Sequence, residues 1–115
     1  MAEPLNPDHP VAERLNPDER VRAHIPVAQA RILVTDRRLA VADEERLALD
    51  IEIAGLRRIQ FDIERNRPAT LVIVPEHPQH EPQVLAVPNE QLPAVADAIA
   101  YLGQRLNSEA SNPNP

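Results

Sequence analysis

The chain has 115 residues, a formal net charge of −6 and no cysteine. This length suits one domain, and without cysteine neither a disulfide nor a thiolate metal site can form. The negative charge argues against general affinity for nucleic acid or anionic membranes, because both require a positive field. No signal-peptide pattern follows Met1, and no apolar run approaches the length of a membrane span. We therefore expect a cytoplasmic protein with no nucleic-acid partner and no membrane contact.

The N-terminal region contains a short repeat, Leu5-Asn6-Pro7-Asp8 and Leu15-Asn16-Pro17-Asp18. Asn-Pro-Asp favours a helix start, because it offers an N-cap, a proline for the first turn and an acidic side chain. Between the copies, Pro10 to Leu15 predicts a short helix. The resulting division is an N-terminal arm with this helix at 1–14, a folded domain at 15–106 and a disordered tail at 107–115.

From Glu19 onward, apolar and polar residues alternate with a period of two, which is typical of strands with one solvated face. Polar or proline-containing turns interrupt the alternation at short intervals. The pattern predicts seven antiparallel strands, in a sandwich or open barrel. Their expected bounds are 21–27, 31–35, 39–42, 47–53, 58–64, 70–74 and 84–87.

The pattern changes to helical spacing after the last strand. Apolar residues between Asn89 and Leu106 form one stripe, which predicts an amphipathic helix closing the β domain. The fold class is therefore mainly β with one C-terminal α-helix. The residues expected in the core are Leu49, Ile51, Ile59, Phe61, Ile99 and Leu102.

Seven strands followed by one helix resemble the pleckstrin-homology-like (PH-like) fold of bacterial domains. The sequence of the segment Arg31 to Leu39, with Thr-Asp-Arg-Arg-Leu at its end, is similar to a strand–turn–strand segment of these domains. Leu15 to Val21 resembles their entry into the first strand, and Leu49 to Ile53 resembles a central strand. The resemblance implies an interaction or oligomerisation module of a bacterial protein.

Two features depart from the lipid-binding members of this fold. Their first hairpin loop is basic, whereas Pro26 to Ala30 carries no charge here, and their final helix usually contains a tryptophan, which this chain lacks. An anion or phospholipid-headgroup site at a membrane surface stays open as the alternative. It would use the arginine cluster Arg57, Arg58, Arg65 and Arg67, although nearby carboxylates such as Asp50 and Asp62 can also pair with these arginines.

Catalysis and cofactor binding have little support in the sequence. Ser108 and Ser111 lie in the predicted tail, and two glycines in the whole chain are too few for a phosphate-binding loop. His77 and His80, between Glu76 and Glu81, offer a mixed nitrogen and oxygen ligand set for a metal. Their hairpin tip can equally stay solvated, so we expect no enzyme activity, no cofactor and no metal.

The interaction hypothesis depends on two runs that are apolar on both faces, Thr70 to Val74 and Val84 to Val87. A small domain has one core, so one set of side chains, either Leu71 and Ile73 or else Val72 and Val74, needs another cover. We take Val72 and Val74 as the interface candidates. Either the N-terminal segment around Val11 and Leu15 provides the cover, or a second subunit or another protein does. Tyr101, on the flank of the helix, is a further interface candidate.

Overall fold

In the computed structural model, the described residues are 11, 14–43 and 46–110, without the side chains of 108–110. Most of the predicted short helix between Pro10 and Leu15 lies outside them, as do 1–10 and 111–115. Arg14 belongs to a single 3-10 turn that leads toward the first strand.

The described residues form seven antiparallel strands and a C-terminal α-helix, which confirms the predicted fold class. The strands lie in two sheets, ordered β1-β2-β3-β4 and β5-β6-β7, so each sheet is a simple meander. Short 3-10 helices at Ile53–Gly55 and Asn89–Gln91 make the turns into β5 and the helix. The bounds are β1 Val21–Val27, β2 Ala30–Thr35, β3 Arg38–Ala42, β4 Leu47–Glu52, β5 Leu56–Asp62, β6 Ala69–Pro75, β7 Gln83–Val87 and α1 Leu92–Ala110.

Two connections require left-handed backbone. The β1–β2 hairpin has a two-residue turn with Gln29 at φ 61°, and the β5–β6 turn has Asn66 at φ 66°. Asparagine tolerates this region well because its short side chain can hydrogen-bond locally. Beside the first turn, the Ala28 N–H donates to the Ala86 carbonyl at 3.0 Å, which links the β1–β2 hairpin to β7.

The main core lies between the two sheets and α1. Inward-facing side chains alternate along β2, β3, β4, β6 and β7, as the period of two predicts. From the helix, Val95, Ala98 and Leu102 close the space between the sheets. Arg105 connects α1 to the β2–β3 turn, because its guanidinium donates to the Asp36 carbonyl at 3.1 Å.

The expected core is buried only in part. Leu49, Ile51 and Leu102 are buried, whereas Ile59, Phe61 and Ile99 are half-buried against the core. The alternation of β5 also ends earlier than its sequence indicates. The strand stops at Asp62, so Ile63 leaves the inward row and is 63% exposed.

The helix is longer than predicted. It continues to Ala110, so the first residues of the expected tail at 107–115 are helical, while 111–115 lie outside the described residues. No described helix is both long and apolar enough to span a bilayer.

A comparison of two truncations tests the packing of the β5–β7 sheet. Leu71→Ala should cost about 2–5 kcal/mol in the free energy of unfolding, because Leu71 is fully buried. Phe61→Ala should cost less than the roughly 3–5 kcal/mol of a fully buried phenylalanine, because its ring is half-buried. Urea unfolding measures both. A larger loss for Phe61→Ala than for Leu71→Ala would contradict the assigned burial.

Candidate functional site

The outer face of the β1–β4 sheet, which points away from the main core, is covered by the N-terminal segment. Val11, Leu33 and Ala40 are completely buried and form a second apolar cluster. Leu15, Val21 and Leu47 pack around it. The described residues of the N-terminal segment therefore cover β2 and β3. None of these described residues packs over Val72 and Val74, which one of the two sequence hypotheses had the segment cover.

A buried ion pair between Glu19 and Arg38 connects this segment to the sheet. The Glu19 carboxylate is fully buried and accepts two hydrogen bonds from Arg38, from Nε at 2.8 Å and from Nη2 at 3.1 Å. Arg38 also donates through Nη1 to both oxygens of Asp50 at 3.2 Å. Its Nη2 reaches the Arg14 carbonyl, also at 3.2 Å. One guanidinium thus joins the N-terminal segment, β3 and β4.

The remaining acceptor capacity of Glu19 is also used. The Thr35 hydroxyl donates to Oε2, and the Asn16 backbone N–H donates to Oε1 at 3.0 Å. Burial on its own would raise the pKa of Glu19, but the hydrogen bonds from Arg38, Thr35 and Asn16 outweigh it and hold the pKa below its ordinary value. The hydrogen bond to Glu19 likewise raises the pKa of Arg38. Glu19 is therefore held as a carboxylate at the centre of the network.

The β2–β3 turn is stabilised by the side chain of Thr35. Its Oγ1 accepts the backbone N–H groups of Arg37 at 3.0 Å and Arg38 at 2.9 Å. Asp36 accepts the N–H of Arg20 at 3.0 Å, which ties the turn to the start of β1. The Thr-Asp-Arg-Arg segment therefore joins separate parts of the chain and does more than form a turn.

The outer face of the other sheet presents a mixed apolar and charged surface. We call it the β5–β7 outer face and define it by Arg58, Gln60, Asp62, Thr70, Val72, Val74, Val84 and Ala86. Val72 and Val74 are half-buried, and Val84 is 68% exposed. Among the described residues, no segment lies over this face as Val11 lies over the other sheet. The two valines named by the sequence thus lie on an accessible face.

Cross-strand pairs set the pattern of this face. Across β5 and β6, Arg58 lies opposite Val74 and Asp62 lies opposite Thr70, with Gln60 opposite Val72 between them. On the other side of Val72 lies Val84. The amide of Gln60 donates to Asp62 Oδ2 at 3.1 Å, which holds this carboxylate on the same side of the sheet.

Tyr101 lies elsewhere, in a groove of about 350 Å³ between β1 and α1. Its ring is half-buried, and the guanidinium carbon of Arg22 is 5.2 Å from the ring centroid. This distance allows a cation–π contact. Because the groove opens beside the main core and not on the β5–β7 outer face, the structure does not bring Tyr101 together with Val72 and Val74.

The four arginines of the predicted anion site lie at two ends of one strand. Arg57 and Arg58 are near the start of β5, whereas Arg65 and Arg67 follow its end. The five strand residues from Arg58 to Asp62, four steps along the strand, already span about 13 Å. Arg67 lies 3.7 Å from Glu64, and no ion pair to Arg57 or Arg58 is formed within the described part of the chain. Asp50, a suggested partner of these arginines, pairs with Arg38 and Arg14 instead.

The histidine loop is a compact exposed turn. The rings of His77 and His80 are 6.0 Å apart edge to face, and His77 Nδ1 accepts the backbone N–H of Gln79 at 3.1 Å. Within the described residues, no three histidine or carboxylate side chains lie close enough to hold a metal ion. The expected absence of a metal stays a prediction.

The Glu19 network predicts a specific dependence of stability on pH. A carboxylate with a lowered folded-state pKa stabilises the fold above its unfolded pKa and loses this contribution as the pH falls through the folded value. The free energy of unfolding should therefore fall below about pH 4.5, the ordinary pKa. Glu19→Gln should flatten this decline and cost about 1.5–3 kcal/mol at neutral pH.

Urea titrations across the acid range measure this effect. Asp18→Asn is the matched control, because Asp18 is 72% exposed in its pair with Arg37 and should contribute no more than about 0.5 kcal/mol. Equal effects of the two substitutions would contradict the central position of Glu19.

Comparison with known proteins bears on the fold. No family model and no curated protein matches the chain. A solved structure does: the crystal structure of a pleckstrin homology domain from Shewanella amazonensis SB2B has a TM-score of 0.63 to this chain. At 16% sequence identity, the match covers 82% of this chain and 92% of the Shewanella chain. The chain therefore has the pleckstrin-homology-like fold that its sequence pattern resembles.

Proposed function

We propose that this domain is a non-catalytic module that acts by protein contact through the β5–β7 outer face, including contact with copies of itself. The observation that carries the proposal is the contrast between the two sheets. The N-terminal segment buries the outer apolar residues of β2 and β3, whereas Val72, Val74 and Val84 have no comparable cover among the described residues. An apolar strip bordered by charges is a common form of protein interface.

The position of Val84 adds to the support. Of the large hydrophobic residues in the described part of the chain, Val84 and Ile63 are the exposed ones, and both belong to the β5–β7 half of the fold. β7 is the last strand of this sheet, and its outer edge runs beside the β1–β2 hairpin, whose Ala28 N–H donates to the Ala86 carbonyl. Apolar surface on this face therefore continues to the border of the sheet.

Val72→Arg tests the proposal. The wild-type chain should self-associate as its concentration rises, and an arginine in the middle of the strip should abolish this association, because its charge would lose water at the contact. Light scattering after gel filtration gives the mass, and circular dichroism checks the fold. Ala48→Arg is the control, since it places the same side chain at an exposed position of β4 in the other sheet.

Two results would contradict self-association through this face. One is a monomer at every concentration, in which case a lower melting temperature for Val72→Arg would indicate a cover from within the chain. The other is an oligomer that Val72→Arg leaves intact.

A second candidate function is anion or phospholipid-headgroup binding. Arg57 and Arg58 favour it, because they are adjacent, exposed and without an ion pair among the described residues. The distance of both from Arg65 and Arg67 weakens it, since one phosphate group cannot contact both ends of β5. The overall charge of −6 also opposes approach to an anionic surface.

Sedimentation with phosphoinositide-containing vesicles at physiological salt distinguishes this candidate. We expect the protein to stay in the supernatant. Pelleting with the vesicles that is lost in an Arg57→Ser/Arg58→Ser double variant, but kept in Arg46→Ser, would favour headgroup binding over the protein-contact proposal.

A further inference from the structure

The charges on the β5–β7 outer face have an order that is complementary to itself. Along β5, this face carries a cation at Arg58, the neutral amide of Gln60 and an anion at Asp62. Gln60, Val72 and Val84 form the middle row across the three strands. The charge therefore changes sign on going from one side of the middle row to the other.

We infer that this face is a two-fold interface, in which a second copy stacks with its middle row over the same row and its Asp62 over Arg58. This inference rests on the proposed self-association. The two-fold axis lies in the plane of the contact and runs across the strands, along the middle row. It keeps β5 of one copy over β5 of the other. It also places the row of Arg58 in one copy over the row of Asp62 in the other. It places Val72 over Val72 and makes two equivalent pairs between Arg58 and Asp62. Such a contact, in which one patch meets itself, is the usual form of a homodimer interface.

The other axis that would stack the sheets runs along the strands. It places β5 over β7, whose outward side chains Val84 and Ala86 are uncharged. Asp62 would then face Ala86 and lose water without gaining a partner, which is unfavourable. The charge pattern thus selects the axis across the strands.

The connections at the two ends of the β5–β7 sheet also differ in charge. The β5–β6 turn carries Arg65 and Arg67, whereas the β6–β7 loop at the opposite end carries Glu76 and Glu81. All four residues are exposed. Reversing the rows brings the β5–β6 turn of each copy to the acidic loop of the other. Because Arg67 already pairs with Glu64, Arg65 is the residue that adds an attraction between the copies in this arrangement.

The size of the contact sets its expected strength. Three strands about 4.8 Å apart and about 17 Å long present roughly 200 Å² per copy. A standard interface buries about 800 Å² per partner. Even with the end loops included, this dimer should be weak, and its formation should increase over protein concentrations from about 10 µM to about 1 mM.

Reversal of the two charges tests the inference by sedimentation equilibrium. Arg58→Asp and Asp62→Arg should each raise the dissociation constant about tenfold or more, because each creates two like-charge pairs at the contact. The two variants mixed together should form a heterodimer, since the two acidic positions of one copy then face the two basic positions of the other. The double variant Arg58→Asp/Asp62→Arg should regain the wild-type association. Arg46→Asp, with the same change of charge just before β4 of the other sheet, should leave it unchanged, and circular dichroism checks each fold.

The outcomes separate this inference from the proposed function. If Val72→Arg abolishes the association but neither charge reversal changes it, the two-fold arrangement is overturned and the β5–β7 outer face remains the interaction face. Weakened single variants without recovery in the mixture or in the double variant would also overturn it. A wild-type chain that stays monomeric up to about 1 mM would overturn both this inference and the proposed self-association.

Discussion

The buried carboxylate of Glu19 is the group that holds the N-terminal half of the fold together. Its guanidinium partner, Arg38, reaches the Arg14 carbonyl and Asp50, so one ion network connects the chain before β1 to two strands of the sheet. A charge in the interior is costly unless every lone pair has a donor, and here Arg38, Thr35 and Asn16 supply the donors. Because these partners come from separate elements, the network forms only when the segment lies in its place. That segment in turn brings Val11 over Leu33 and Ala40.

The strands and the helix could be predicted from the sequence because their signals are local. Alternation with a period of two identified β1, β4 and β5, short apolar runs bounded by turns identified β2, β3, β6 and β7, and a helical stripe identified α1. The Glu19 network could not be predicted in this way, since Thr35 and Arg38 lie 16 and 19 positions from Glu19 in the sequence. Asp50, the second partner of Arg38, lies a further 12 positions along the chain. In the sequence, Glu19 lies between Asp18 and Arg20 and has the pattern of a solvated polar segment. One signal was available: Asn16 and Glu19 have the spacing of a capping box, in which the acidic side chain accepts the backbone N–H three residues earlier.

The candidate interface likewise could not be located from local sequence signals alone. Apolar residues on both faces of a strand indicate that two covers are needed, but they do not identify the covers. Ile32 to Val34 in β2 and Leu39 to Ala42 in β3 have this property as fully as Thr70 to Val74 in β6. In the first two strands the second cover is the N-terminal segment, brought there by Glu19 and Arg38. The interface was predicted at β6 because its run is apolar on both faces, whereas the same requirement of β2 and β3 is met by residues before the first strand.

The two outer faces therefore use charge in opposite ways. On the β1–β4 sheet the ions are buried or nearly so, which makes the bound N-terminal segment part of the monomer, since removing one partner would leave an uncompensated charge inside. On the β5–β7 sheet Arg58 and Asp62 are exposed, so they remain hydrated in the single chain and contribute little to its stability. Exposed charges of this kind act mainly on the approach and orientation of a partner. The β5–β7 outer face combines these charges with the apolar side chains of Val72, Val74 and Val84. The face can stay exposed in the single chain, and its charges select the orientation of a partner. Both properties suit a contact that forms and dissociates with protein concentration.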